Sequence, residues 1–160
     1  MDQKQDMPDT AVQGRVVVSG TAEAPLLKSL EPLSFWGGYD QATGEIIDRR
    51  HPLSGLLAAG CVVAIPFTRG SSTTTSILIE AVRAGVGPAG IITEEVDSFL
   101  ALASIVADEM YGKPFPVVTL DQEAFRALPE RGSVVVTADG LVRVIQAQSG
   151  GPAHVGTDSP

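Results

Sequence analysis

The first candidate chemistry lies in a run of small polar residues that follows an apolar segment. The apolar segment, C-V-V-A-I-P-F at residues 61–67, leads into Arg69, Gly70, Ser71 and Ser72. Where a strand ends and a helix begins, unpaired backbone N–H groups and the positive end of the helix dipole favour a carboxylate or a phosphate. Gly70 allows a conformation or a close approach that a Cβ would block. The spacing therefore indicates an anion site with hydroxyl groups beside it.

Plainer explanations fit the same residues. Serine and threonine are favoured helix N-caps, so the run could be an ordinary strand–helix turn. The lysine of a GxxxxGK[ST] phosphate loop and the GxSxG frame of a hydrolase are both missing. His51 could be a base for Ser71, or it could brace a turn by hydrogen bonding. The only other histidine is His154, so no histidine-based metal site is expected.

An unusual segment lies between residues 32 and 55. It carries Phe35, Trp36 and Tyr39, the largest aromatic cluster of a chain that is only 5% aromatic. Long irregular segments in compact domains are uncommon and often functional. The alternative is a covering loop in which Trp36 fills a core that is short of aromatic side chains. The acidic residues around it are interpreted as solvated turn residues: Glu31, Asp40, Glu45 and Asp48.

Composition excludes several classes of partner and site. The net charge of the 160-residue chain is −8, without a Lys/Arg cluster, which argues against nucleic acid and anionic membranes. The single cysteine, Cys61, allows neither an internal disulfide nor the thiolates of an iron–sulfur cluster. The N-terminus resembles no signal peptide, and no apolar run reaches the length of a membrane span. We expect a soluble, cytoplasmic protein that binds no metal itself.

The apolar pattern predicts alternating strands and helices. Residues 14–20, 24–30, 61–67, 89–93 and 115–120 resemble strands, the last three buried on both faces. Asp121 is a candidate helix cap, and Asp139-Gly140 indicates a hairpin. A helix over about 96–111 should bury a face made of Phe99, Leu102, Ala103, Val106 and Met110.

These elements predict a single α/β domain over residues 14–148. We expect three layers, β/β/α, with a mainly parallel sheet, helices on one face and an antiparallel β layer on the other. Residues 1–13 and 149–160 are polar or rich in glycine and proline, and we expect them to form disordered tails.

Three stretches together carry a family resemblance: S-F-W-G-G, then D-x-x-T-G-x-I-I-D-x-x-H-P-L-x-G, then R-G-S-S. Over about residues 14–120 the chain resembles the small, swivelling-domain subunit of the aconitase X family. The resemblance implies a swivelling β/β/α domain like the mobile last domain of aconitase. It also implies a dehydratase whose large subunit holds an iron–sulfur cluster that acts as a Lewis acid on the leaving hydroxyl.

The resemblance also implies roles for particular residues. Ser71 matches the catalytic base, which takes the proton next to the substrate carboxylate. Arg69, Gly70, Ser72 and Thr73 would bind the substrate. Thr73 replaces the arginine with which aconitase itself clamps a carboxylate, so a tricarboxylic acid is not the expected substrate. The cleft or the subunit interface would be lined by Ser34, Phe35, Trp36, Gly37, Gly38 and His51.

The function implied is that of a small subunit in a two-chain hydro-lyase. The chain starts with methionine and is too short for a whole dehydratase, so we expect a separate, cluster-bearing large subunit as partner. The expected substrate is a small carboxylate, cis-3-hydroxy-L-proline, which would be dehydrated to a pyrroline-2-carboxylate. The alternatives are mevalonate 5-phosphate as substrate, or a non-catalytic ligand-binding or scaffold domain.

Overall fold

The computed structural model describes residues 10–70 and 72–145. This part of the chain forms eight strands and three helices. They are β1 (Thr10–Gln13), β2 (Arg15–Val18), β3 (Ala22–Lys28), β4 (Val62–Ala64), α1 (Thr73–Arg83), β5 (Gly90–Thr93), α2 (Ser98–Tyr111), β6 (Val117–Thr119), α3 (Gln122–Ala127), β7 (Arg131–Val136) and β8 (Leu141–Ile145).

The strands form one mixed sheet in the order β1-β8-β7-β3-β4-β5-β6-β2. The neighbours β3, β4, β5 and β6 are parallel, while the other pairs are antiparallel. Parallel neighbours end at the same edge of a sheet, so the segments that follow β3, β4 and β5 all leave from one side. That side is called the carboxyl edge below.

Gly14 brings the two ends of this sheet together. It alone separates β1 from β2, the strands at opposite ends of the strand order, so the sheet curls into a nearly closed barrel. The Gly14 N–H donates to the carbonyl oxygen of Gly140 at 2.9 Å. A Cβ at position 14 would lie 2.3 Å from Cγ1 of Val118. The close approach of the two sheet ends therefore requires glycine.

Two apolar cores lie on opposite faces of the central strands. In β4 the side chains of Val62 and Ala64 point into the barrel, and that of Val63 packs beneath α1 and α2. Ile91 and Ile92 of β5 divide in the same way. Burial on both faces explains why these strands are continuous apolar runs, as predicted.

The predicted α/β class is confirmed, with α1 and α2 on one side of the sheet. The two β layers prove to be hydrogen-bonded into one continuous sheet through β3, which pairs with both β4 and β7. Asp121 caps α3, and the turn at Gly140 joins β7 to β8, both as predicted.

Two expectations are wrong. Residues 10–13, assigned to a disordered tail, form the edge strand β1 because their backbone pairs with β8. The rest of the two expected tails, residues 1–9 and 149–160, lies outside the described residues. Helix α2 does not bury Leu102 and Met110, which are 48% and 61% exposed. It buries Leu100, Ala103, Ser104 and Ala107.

The buried face of α2 was predicted wrongly because the helix is apolar on two sides. The spacing of apolar residues alone does not tell which side packs on the sheet. Across residues 10–70 and 72–145, no helix has the length and hydropathy to cross a membrane.

Ser104 should be the most sensitive serine of the helical layer. Its buried Oγ donates to the carbonyl oxygen of Phe115 at 2.6 Å and accepts from the Phe115 N–H at 2.9 Å. Ser104→Ala would leave both backbone groups unpaired, so we expect it to lower the free energy of unfolding by about 1–3 kcal/mol. Urea unfolding measures this.

Ser76→Ala is the matched control, because Ser76 lies exposed on α1 and its Oγ makes only a 3.5 Å contact with the Ser72 carbonyl. That control should change stability by less than about 0.5 kcal/mol. Equal effects of the two substitutions would contradict the assignment.

Candidate functional site

The segments that follow β3 and β4 lie side by side at the carboxyl edge. Leu33 forms an isolated parallel bridge with Thr68. The Arg69 N–H donates to the Leu33 carbonyl oxygen at 3.1 Å. The aromatic segment and the R-G-S-S run, 30 and more residues apart in sequence, are therefore held next to each other.

Gly70 is the turning point of the R-G-S-S run. Its φ is +145°, a conformation that strains any residue with a side chain. A Cβ there would lie 3.3 Å from Oγ1 of Thr74 and 3.9 Å from Oγ of Ser34. Ser34 and Gly70 are thus close neighbours. Ser71, the expected base, lies outside the described residues.

Ser72 and Thr73 begin helix α1. Ser72 occupies the N-cap position, but its backbone is already helical and its side chain makes no capping hydrogen bond. The Ser72 hydroxyl therefore does not cap α1. Ser72 is exposed, and the first turn of α1 carries no acidic residue to offset the positive end of the helix dipole. An anion approaching this end meets no opposing charge from the helix itself.

Asp97 links this loop to the start of α2. One carboxylate oxygen accepts from the backbone N–H groups of Phe99 at 2.9 Å and Leu100 at 3.3 Å, and the other accepts from the Thr68 hydroxyl. The Thr75 hydroxyl of α1 donates to the Phe99 carbonyl oxygen at 2.9 Å. The N-terminal ends of both helices are therefore tied together beside Gly70. Sequence reasoning missed Thr68 and Asp97, although an aspartate before a helical run is an N-cap signal.

The aromatic segment divides into a buried and an exposed part. The rings of Phe35 and Tyr39 are buried, with centroids 5.5 Å apart. The Tyr39 hydroxyl donates to the Val86 carbonyl oxygen at 2.7 Å, and burial raises the pKa of the phenol. Trp36 is 69% exposed, so it does not fill the core. Gly37 beside it is also exposed.

Gly38 is buried, and a Cβ there would lie 2.1 Å from the Ser34 carbonyl oxygen. The Ser34 hydroxyl donates to the carbonyl oxygen of Trp36 at 3.1 Å. Farther along this segment, isolated antiparallel bridges join Tyr39 to Ile46 and Glu45 to Leu57.

His51 braces a turn. Its Nδ1 accepts from the Leu53 N–H at 3.1 Å, so the ring proton is on Nε2, which lies 3.2 Å from the Glu31 carbonyl oxygen and donates to it. Both nitrogens of this buried ring are used. The structure therefore supports the bracing alternative and leaves His51 no free nitrogen to act as a base.

A cavity of about 570 Å³ opens between these segments. Its walls are formed by Glu31, Pro32, Asp48, Arg49, Arg50, His51 and Arg69. It is called the arginine cavity below. Arg69 and His51 are among the residues predicted from the sequence, whereas Arg49 and Arg50 are not.

Two smaller cavities differ in position. One of about 290 Å³ adjoins Thr68, Gly70 and Asp97 at the carboxyl edge. The other, of about 250 Å³, lies at the opposite edge against Pro88 and Phe115, far from the R-G-S-S run.

Metal ligands are not grouped in the part of the chain that the structure describes: no three His, Cys, Asp or Glu side chains come together there. Cys61 is buried, its Sγ faces the Leu57 carbonyl oxygen at 3.5 Å, and burial raises the pKa of its thiol. These donors do not fit an iron–sulfur cluster.

The sequence is similar to known proteins over most of its length. A family model described as the aconitase X swivel domain matches residues 11–144. A cis-3-hydroxy-L-proline dehydratase of Pseudomonas aeruginosa is 45% identical over 108 residues, which cover 68% of this chain and 19% of that protein. The phosphomevalonate dehydratase small subunit of Pyrococcus furiosus is 34% identical over 136 residues, which cover 81% of this chain and 97% of that one.

The fold is also similar to a solved structure. The crystal structure of Thermococcus kodakaraensis aconitase X in its holo-form matches with a TM-score of 0.75 and 28% identity, covering 86% of this chain and 99% of that chain. The chain thus spans about a fifth of the length of the Pseudomonas dehydratase and nearly all of the Pyrococcus small subunit.

Asp97→Ala should loosen the R-G-S-S run as well as helix α2. Loss of the cap should lower the free energy of unfolding by about 0.5–2 kcal/mol. Because Thr68 loses its partner, the Arg69 amide should also exchange its hydrogen faster. Native-state hydrogen exchange followed by NMR measures both effects.

The control is Asp121→Ala, which removes the cap of α3. Asp121→Ala should lower the free energy of unfolding by a similar amount. The Arg69 amide should then exchange faster only as far as this loss of global stability accounts for. If the Arg69 amide responds equally to both substitutions, the link through Thr68 is not what holds the loop.

Proposed function

Because the chain belongs to the aconitase X swivel-domain family, we propose that it is the small subunit of a two-chain hydro-lyase that dehydrates cis-3-hydroxy-L-proline. The observation that carries the proposal is the meeting of three features at the carboxyl edge: the R-G-S-S run, an N-terminus of α1 whose first turn has no acidic residue, and the arginine cavity. Together they suit a small carboxylate substrate. The 45% identity to the Pseudomonas dehydratase supports this choice of substrate.

In this proposal Ser71 is the base that takes the proton next to the substrate carboxylate. Its chain neighbours Gly70 and Ser72 both lie at the carboxyl edge, which supports the assignment. The pKa of a serine hydroxyl is far above neutrality, and a helix N-terminus stabilises a nearby anion by about 0.3–2 kcal/mol. That is at most about a thirtyfold gain in acidity, so the helix alone is too weak. The positive charge of Arg69 is the additional contribution that this chain offers.

Arg69, Ser72 and Thr73 would bind the substrate carboxylate. Arg69 carries a fork of donors suited to a carboxylate, and Ser72 has a hydroxyl that is not used as a cap. The backbone N–H groups at the start of α1 add further donors. Holding the carboxylate here would orient the neighbouring carbon and exclude water from the base.

The iron–sulfur cluster that such a dehydratase uses would belong to the large subunit. In that position it would supply Lewis-acid chemistry at the leaving hydroxyl. This chain would contribute the base and the carboxylate site. Completing the reaction therefore needs both chains.

The exposed apolar residues near the carboxyl edge support a partner there. Trp36 is 69% exposed and Phe67 is 42% exposed. Exposed aromatic residues of this size commonly anchor protein interfaces. We propose that Trp36 is covered by the large subunit.

Mevalonate 5-phosphate is the second candidate substrate. It is favoured by the match to 97% of the Pyrococcus small subunit and by the three arginines of one cavity, which suit a phosphate. Assays of the two-chain complex on both compounds distinguish the candidates. A complex that turns over neither one would leave a non-catalytic binding or scaffold domain.

Ser71→Ala should lower kcat of the reconstituted complex by at least about a hundredfold, because general bases contribute about 10²–10⁴ to rate. Ser76→Ala, which changes an exposed serine of α1 that is not assigned to the site, should keep the wild-type rate. Steady-state kinetics and circular dichroism of both variants make the comparison. Wild-type turnover by Ser71→Ala would remove this serine from the mechanism.

Trp36→Ala should weaken association with the large subunit by at least about tenfold, without changing the stability of the isolated chain. Met110→Ala is the control, because Met110 is similarly exposed. It lies about 18 Å along the axis of α2 from the first residue of that helix, Ser98, toward the other edge of the sheet. Isothermal titration calorimetry gives both dissociation constants. The interface lies elsewhere if the two substitutions act alike.

A further inference from the structure

We propose that the arginine cavity extends the anion site at Arg69, so that a carboxylate or phosphate group of the substrate is bound by Arg49 and Arg50 as well as by Arg69. The inference deepens the proposed function and rests on it for the claim that the bound anion is part of the substrate. The notable fact is the concentration of charge: three of the chain's eight arginines line one cavity, in a protein whose net charge is −8.

The backbone holds these arginines together. The carbonyl oxygen of Leu33 accepts from the Arg69 N–H at 3.1 Å. Two residues earlier, the carbonyl oxygen of Glu31 accepts from the His51 ring at 3.2 Å. The single segment 31–33 therefore ties the Arg69 loop to the turn that carries the other two arginines. These contacts involve backbone atoms and a buried ring, so the cavity is a built feature of the fold.

The turn at residues 48–51 displays two successive arginines. The His51 N–H donates to the Asp48 carbonyl oxygen at 3.0 Å, and the Arg50 N–H donates to Oδ1 of Asp48 at 3.0 Å. One carboxylate oxygen of Asp48 is thus engaged in a hydrogen bond with the backbone of the turn. The hydrogen bonds of the His51 ring hold this turn in place and so keep Arg49 and Arg50 at the cavity wall.

The charge of the three arginines is only partly offset within the described residues, because the same cavity is lined by two carboxylates, those of Glu31 and Asp48. Neither carboxylate forms an ion pair with a guanidinium group of the cavity, and the ion pair found among the described residues joins Arg83 to Glu80. Three guanidinium groups around one cavity repel each other, and an anion between them offsets that cost. Arginine forks match carboxylate and phosphate oxygens in geometry as well as in charge.

The test uses inorganic phosphate and acetate as probes of the full chain. Each is titrated at constant ionic strength while the arginine Nε–Hε signals are followed by NMR. We expect saturable shifts at Arg49, Arg50 and Arg69. The double variant Arg49→Gln/Arg50→Gln should bind at least about tenfold more weakly. Arg143→Gln, on β8, is the control and should bind as the wild type does.

The probes separate the two anion classes. Shifts with phosphate alone assign the subsite to a phosphate group, shifts with acetate alone assign it to a carboxylate, and shifts with both assign it to either anion. Each of these results supports the proposal. No saturable shift, or equal binding by the double variant, overturns it.

A kinetic arm tests the link to the substrate. In the reconstituted complex the double variant should raise KM at least about tenfold while changing kcat much less, because it removes binding rather than the base. An unchanged KM would overturn the assignment to the substrate. If the wild-type complex turns over neither candidate substrate, yet phosphate binds the wild-type chain and not the double variant, the proposed function fails and the anion site stands.

Discussion

The parallel pairing of β3 with β4 is the constraint on which the rest of this molecule depends. Two adjacent parallel strands end at the same edge, so the two segments that follow them must share that edge. The hydrogen bond from the Arg69 N–H to the Leu33 carbonyl oxygen extends this pairing one step beyond the sheet. Residues far apart in sequence thereby become the walls of one cavity. Gly70 and Gly14 serve the same architecture, one at the turn into α1 and the other at the closure of the barrel.

This constraint also explains why a structural histidine lies so near the candidate chemistry. The buried ring of His51 joins the Glu31 carbonyl oxygen to the Leu53 N–H, and so it holds the turn at residues 48–51 against the start of the segment that follows β3. A histidine before proline could equally have been a base, and sequence alone left both alternatives open. The hydrogen bonds decide between them, since a ring with both nitrogens engaged holds a loop and has no nitrogen left to take a proton.

The sequence predicted features that depend on local pattern. The buried strands, the cap at Asp121 and the hairpin at Gly140 each follow from a few adjacent residues. The buried side of α2 could not be predicted in this way, because Leu102 and Met110 are as apolar as the residues that are buried. Which side of the helix is buried depends on how it packs against the sheet. Strand β1 was missed because its pairing with β8 joins residues more than 120 apart.

Two arginines of the candidate site were missed for a similar reason. Arg49 and Arg50 resemble solvated turn residues in sequence, and only the fold brings Arg69 to them.

The charge of the whole chain and the charge of this edge act over different ranges. At physiological ionic strength the Debye length is about 8 Å, so most of the surface carboxylates that make the protein acidic are screened from an anion in the cavity. Such an anion meets three guanidinium groups against two carboxylates, those of Glu31 and Asp48. The guanidinium groups are the larger contribution, since each carries a full charge and donors in a fixed fork. An acidic domain can therefore offer a basic edge, provided that the backbone holds its few arginines together.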